Sequence, residues 1–258
     1  MEELEKSETS PQVRTIAAER TLEEELDKLM AELWERRPET QPELASLRQG
    51  ERRRRVVITG MGAITPLGLS VEETWQGLIA GRSGIRRITS FDPSDYPTQI
   101  MGEVRGFKAR EFMDFKKARR MARFSQFAVA AAKMALEDAG LTIDESNAEK
   151  VGVLLGNSVG GLDETERACR LMLERGGMRL SPFYIVMMPP NMAAFHVART
   201  FGIKGYNCTI STACAAGAQA IGEGAEVIRR GKAEVVVAGG TESSSCELGL
   251  AAFCVGRA

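Results

Sequence analysis

The sequence predicts an α/β protein in which a central sheet is covered by helices on both faces. Two observations carry this. Between about residues 55 and 240, short β-branched or apolar runs alternate with segments whose apolar residues recur at helical spacing. The apolar runs also lack the polar alternation of a sheet with one wet face, so both faces must be buried.

The elements follow in order. Val56-Val57-Ile58-Thr59 is a short β-branched run ending in Gly60-Met61-Gly62, and it predicts the first strand. Ser70 is a helix N-cap, and the helix it opens runs to Ala80, where Gly81 stops it. After a loop-rich stretch, Phe124, Phe127, Ala128, Ala131, Met134 and Ala135 keep a helical spacing, predicting one helix from about Lys116 to Ala139 before Gly140. Val151 to Leu155 reads as a buried strand, Asp163 to Arg175 as a charged helix, and Asn191 to Thr200 as a further helix. A strand from Cys208 to Thr212, a helix from Ala215 to Arg230 and a strand from Val235 to Ala238 complete the pattern.

Ahead of this body lies a leader, residues 1–54, with the boundary drawn where composition shifts near Arg55. Its first fifty residues carry thirteen acidic and seven basic side chains. Thr21 and Glu24 have capping-box spacing, and Leu22, Leu26, Leu29 and Leu33 form one apolar stripe, predicting a helix at about 21–37 that Pro38 and Pro42 end. The stripe suits either a short dimerising or docking coiled coil or a helix lying on its own domain; two heptads do not decide between them.

The 258 residues, 43% hydrophobic, suffice for a substantial core. A net charge of −1 leaves the body only mildly basic, too small an excess to argue for nucleic acid, and no nucleic-acid partner is expected. The five cysteines (Cys169, Cys208, Cys214, Cys246, Cys254) form neither a disulfide framework nor a zinc pattern. No metal and no cofactor is expected. The start of the chain lacks the features of a secretory signal, and no apolar run reaches bilayer-spanning length, so a soluble, cytoplasmic protein without membrane contact is expected.

The chemistry concentrates in Cys208 to Gly217 and the small-residue helix behind it. A cysteine at a strand-to-helix turn sits at a helix N-terminus, where unpaired N–H groups and the dipole favour an anion and lower the thiol pKa. Cys214 is therefore a nucleophile candidate. Ala213, Ala215, Ala216 and Gly217 leave room for a substrate carbonyl, and a backbone N–H at the turn can form half an oxyanion hole. On composition alone, a buried, inert cysteine among small residues remains the competing reading.

Five motifs in order bear on that choice: Val57-Ile-Thr-Gly-Met-Gly-Ala-Ile-Thr-Pro-Leu-Gly68, Asn157-Ser-Val-Gly-Gly161, Met188-Pro-Pro-Asn-Met192, Ser211-Thr-Ala-Cys-Ala-Ala-Gly217 and Val237-Ala-Gly-Gly-Thr-Glu242. Together they resemble the landmarks of the β-ketoacyl-carrier-protein synthases, from about residue 55 to the end of the chain. The resemblance implies the first half of a thiolase-like fold, a mixed sheet covered by helices, with the remaining half beyond the C-terminus. It implies Cys214 as the acyl acceptor in a decarboxylative Claisen condensation with malonyl-carrier protein, acyl carrier protein as partner, and a homodimer whose interface lies near the nucleophile strand. Val159 matches the position that lines the end of the acyl pocket.

The resemblance also implies two histidines and a lysine downstream of the cysteine. This chain has one histidine, His196, which precedes it and falls where relatives carry a structural Gly-His; here the pair is Phe195-His196. His196 is expected to be structural, and the chain is expected to hold only the acyl-accepting half, whether as a truncation, an incomplete gene or one piece of a split enzyme. A polyketide ketosynthase with an N-terminal docking helix and a non-catalytic pairing subunit are the alternatives; a thiolase acting on coenzyme A thioesters suits the landmarks less well.

Overall fold

The computed structural model describes residues 24, 25, 27–32 and 54–257. The described residues fall into two units, one before Arg54 and one from Arg54 onward. In the first, residues 24, 25 and 27–32 are helical and exposed, with Leu29 and Met30 open to solvent. Leu22, Leu26, Leu33 and both ends of the expected 21–37 helix lie outside the described residues.

The second unit begins with a correction. The expected strand at 56–59 pairs with no strand among the described residues, and Val57 and Ile58 are 64% and 77% exposed. A strand needs a neighbour for its N–H and C=O groups, and only the residues that follow the run, Gly60 to Gly62, meet a helix. A Cβ on Gly60 or Gly62 would collide with the Ala135 or Ala131 carbonyl, and the Met61 N–H donates to Asp138 at 2.9 Å. β-Branched composition chose an extended backbone but could not supply a partner.

Helix α1 (Val71–Ile79) forms as expected, its Ser70 N-cap accepting the Glu73 N–H at 3.1 Å, and Gly81 closes it at φ +62°. The stretch expected to be only loop contains a two-residue antiparallel pair, β1 (Arg86–Arg87) with β2 (Ile100–Met101). Just beyond it the buried Glu103 carboxylate accepts from the Thr89 and Ser90 N–H groups, the Thr89 hydroxyl and Arg105.

The single helix expected over 116–139 is two: α2 (Phe115–Ala118) and α3 (Arg123–Asp138). Between them Ala122 is extended at ψ 159°, and it and Met121 are buried. The Gln126 amide makes the break tolerable by donating to the Ala118 and Met121 carbonyls, at 3.0 and 3.2 Å. Helical spacing continued across the gap, and nothing in it announced a side chain that would satisfy the broken ladder.

The central sheet is parallel, in the order β4 (Asn207–Ile210), β3 (Val151–Gly156), β5 (Val235–Gly240). Antiparallel pairing among the named strands is confined to β1 and β2. Along β3 every residue is buried. Val151, Val153 and Leu155 pack into a core with Phe124, Val129 and Ala132 of α3 and Ala193, Ala194 and Val197 of α6 (Met192–Phe201). Leu154 faces the other way, against Ala220 and Val227 of α7 (Ala216–Arg229). The two-faced covering expected from the unalternated strands is thus present, and each such side chain contributes about 1.5–3 kcal/mol by its burial. Two further helices complete the unit, α4 (Leu162–Arg175) after β3 and α8 (Glu247–Gly256) after β5, together with the single turn α5 (Tyr184–Met187). No described helix is long and apolar enough to cross a membrane.

Candidate active site

The carboxyl ends of parallel strands carry the loops on which α/β proteins build their sites, and here three such loops meet. The loop after β3 holds Asn157 to Gly161, the loop after β4 holds Ser211 to Cys214, and the loop after β5 holds Thr241 and Glu242. Cys214 is exposed, in the middle of a one-turn 3-10 helix (Ala213–Ala215) leading directly into α7. The chain turns there through Ala213, whose φ of +49° is left-handed. For a residue with a Cβ this conformation costs roughly 1–2 kcal/mol, so the surrounding contacts must hold it.

The hold comes from three glycines. A Cβ on Gly156, at the end of β3, would run into the Ala216 carbonyl and the Gly217 N–H. One on Gly240, at the end of β5, would stand 2.7 Å from the Gly217 Cα, and one on Gly217 would stand 3.1 Å from the Gly240 Cα. With no side chain at any of the three, the first turn of α7 seats directly on the ends of two strands. That seating leaves Cys214 open to solvent in the turn ahead of α7, where the Ala215 and Ala216 N–H groups are already given to the Thr212 and Ala213 carbonyls.

The loops are tied to one another by hydrogen bonds that span the chain. The Ser211 hydroxyl donates to the Ser158 carbonyl at 3.1 Å, joining the cysteine loop to the β3 loop. Asn157 donates from Nδ2 to the Thr241 carbonyl at 2.5 Å, and the Thr241 hydroxyl donates to the Phe124 carbonyl at 2.6 Å. Glu242 reaches back across the sheet end: its Oε2 accepts the Ser158 and Val159 N–H groups, both at 3.1 Å, and its Oε1 accepts the Ser243 N–H at 3.0 Å. Val159 therefore stands at the same end of the sheet as Cys214, on the neighbouring strand's loop. Its side chain is 47% exposed.

Sequence reasoning placed Cys214 and Val159 but missed their supports. Glu242, Ser211 and Asn157 lie 83, 53 and 84 residues from the groups they bind, and no local spacing signals such a contact. His196 lies elsewhere, on α6, 7% exposed, its Nε2 buried without a partner and its ring edge-on to Phe195. Burial, aided by the Arg199 charge, pushes its pKa down to about 4, which keeps the imidazole neutral at pH 7.

Two cavities lie in the second unit, and neither has Cys214 or Val159 in its walls. One, about 710 Å³, is lined on one side by Thr241 and Glu242 and on the other by Glu103 and Arg123. Asp163 joins its wall, and burial raises this carboxyl to about 6. The other, about 1050 Å³, has a basic rim of Lys116, Arg119, Arg120, Arg167 and Arg179 over an apolar floor that includes Met187 and Leu171. Its cations come from three separate segments, so composition alone did not reveal it.

Comparison with known proteins agrees with the motif order. The model of the β-ketoacyl synthase N-terminal domain matches residues 53–258. A 3-oxoacyl-[acyl-carrier-protein] synthase 2 of Synechocystis is 47% identical over 207 residues, which are 80% of this chain and 50% of that relative. Among solved structures, the ishigamide ketosynthase/chain length factor superposes with a TM-score of 0.75 at 33% identity, over 80% of this chain and 51% of its own. The AntDE:AntF complex of a type II PKS acyl-carrier protein with its ketosynthase gives 0.67 at 27% identity, over 78% and 54%. The chain spans about half the length of the curated relatives it matches.

Proposed function

The chain belongs to the β-ketoacyl synthase family, by its N-terminal domain and thiolase-like ketosynthase fold, and on that premise we propose that it is the acyl-accepting part of a carrier-protein-dependent condensing enzyme. The observation that carries the proposal is Cys214, exposed on a left-handed turn between β4 and a helix seated on glycines. In the first half-reaction the Cys214 sulfur attacks the carbonyl of an acyl thioester. Its proton leaves, the carbonyl oxygen becomes an oxyanion held by the backbone N–H of Cys214, and the carbon–sulfur bond to the donor breaks as its thiolate departs and regains a proton. The product is an acyl thioester on Cys214, the electrophile for a condensation with a decarboxylated malonyl thioester. Val159, on the adjoining loop, would contact the alkyl chain.

Carrier protein is the proposed donor. The basic rim of the 1050 Å³ cavity suits an acidic partner surface or the phosphate of a phosphopantetheine arm, and one structural neighbour is an acyl-carrier protein bound to its ketosynthase. We place the reaction in fatty-acid elongation ahead of polyketide synthesis because identity to the Synechocystis synthase, 47%, exceeds that to the polyketide ketosynthase complex, 27%. A homodimer is part of the proposal: β4 is an edge strand among the described strands, and it leads directly into Cys214. A non-catalytic pairing subunit is the less favoured reading, since such a subunit has no use for a cysteine held open on a strained turn.

Labelling tests the assignment. A thiol-reactive acyl-thioester mimic, followed by peptide mass mapping, should modify Cys214 ahead of the other four cysteines, and a simple acyl thioester should protect it. Cys169 is the informative control, because it is exposed as well. Equal labelling of Cys169 and Cys214, with no protection, would overturn the reading.

A further inference from the structure

Glu242 lies on the loop after β5, yet its carboxylate is bound to the neighbouring loop after β3. One oxygen takes two consecutive N–H groups, Ser158 and Val159, and the other takes Ser243 on its own loop. The side chain is half-buried in the wall of the 710 Å³ cavity. Two consecutive amides held by one oxygen fix the course of that turn. The Ser211–Ser158 bond carries the same loop on to the cysteine loop. The backbone N–H of Val159 is therefore held by a residue 83 positions away, and its side chain is exposed.

We propose that Glu242 is a positioning residue that sets acyl selectivity by clamping the backbone of Val159, a role that rests on the reading of Cys214 as acyl acceptor and Val159 as chain contact. The carboxylate touches neither the sulfur nor the acyl carbonyl. It determines where the valine methyl groups stand, and so how an alkyl chain of a given length is received. Loss of the clamp frees two adjacent N–H groups and lets the loop drift, which changes long and short chains unequally. Loss of Val159's methyl groups removes the very contact the clamp positions, so the two changes act on one term.

The test uses the full chain and acyl-enzyme formation at Cys214, followed by intact mass, with butyryl and decanoyl N-acetylcysteamine thioesters as donors. Glu242→Ala is expected to change the decanoyl-to-butyryl rate ratio about fivefold, while Glu242→Gln, which keeps an acceptor oxygen for the two N–H groups, stays within about twofold of the unaltered chain. In the Val159→Ala background, adding Glu242→Ala should leave the ratio where Val159→Ala alone put it. A ratio unchanged by Glu242→Ala, with both rates lowered equally, or ratio changes that simply multiply in the double variant, would overturn the positioning role and leave the acyl-acceptor reading intact. Should Glu242→Ala lose its native circular dichroism, the cycle is run with Glu242→Asp, whose shorter arm cannot span both loops, against the same criteria. A chain that takes no acyl group from either donor would overturn this inference together with the reading beneath it.

Discussion

At the scale of single residues, two buried titratable groups link stability to pH in opposite senses. His196 has its pKa pushed down to about 4 by burial, below the value of about 6.5 for an unfolded chain. The unfolded state therefore binds a proton first, and stability falls as pH drops from about 6.5 toward 4, by up to about 3 kcal/mol. His196→Gln should flatten that part of a denaturant-midpoint profile while leaving Cys214 labelling unchanged. Glu103 behaves in the opposite sense. Burial disfavours its charge, but donors from Ser90, Arg105 and Thr89 outweigh this and hold it at about 2. Its contribution is complete above about 4.5 and is lost as pH falls toward 2. Glu103→Gln should accordingly be less stable than the unaltered chain at pH 7, with the difference closing through that acidic window. The position of Cys214 between strand and helix was legible because its small neighbours are local facts; the donors around Glu103 and the tether on Val159 are long-range facts and were not.

Secondary-structure elements show the same division. Helix α1 was legible to within one residue because its cap and its terminating glycine both act within a turn. The break between α2 and α3 was not, because Gln126 satisfies it from the following helix. The seating of α7 makes the sharper prediction. Gly156→Ala and Gly240→Ala drive a methyl group into helix backbone, so each should destabilise the protein by about 2 kcal/mol or more in urea melts and slow the labelling of Cys214. Gly222, on the same helix with no neighbouring atom in its way, should respond with the opposite sign. Gly222→Ala is expected to stabilise by about 0.5–1 kcal/mol through helix propensity and to leave labelling untouched.

For the molecule as a whole, the α/β class and the two-sided covering of the sheet were readable from strands without polar alternation. The pairing of 56–59 was not, since composition specifies an extended backbone and not its neighbour. Light scattering should find a dimer in solution; a folded species that stays monomeric across concentrations would contradict the homodimer. Strand β3 alone among the described strands has a partner on each side and helices over both faces. Its amides are therefore the last to be released, while β4 and β5 each present one open edge. In deuterated solvent Val153 and Leu155 should retain protons long after the outward amides of Val235 to Ala238 have exchanged. The loops bearing Val159 and Cys214 are thus anchored to the slowest-opening part of the fold, and the geometry at the cysteine should persist through excursions that fray the sheet's rim.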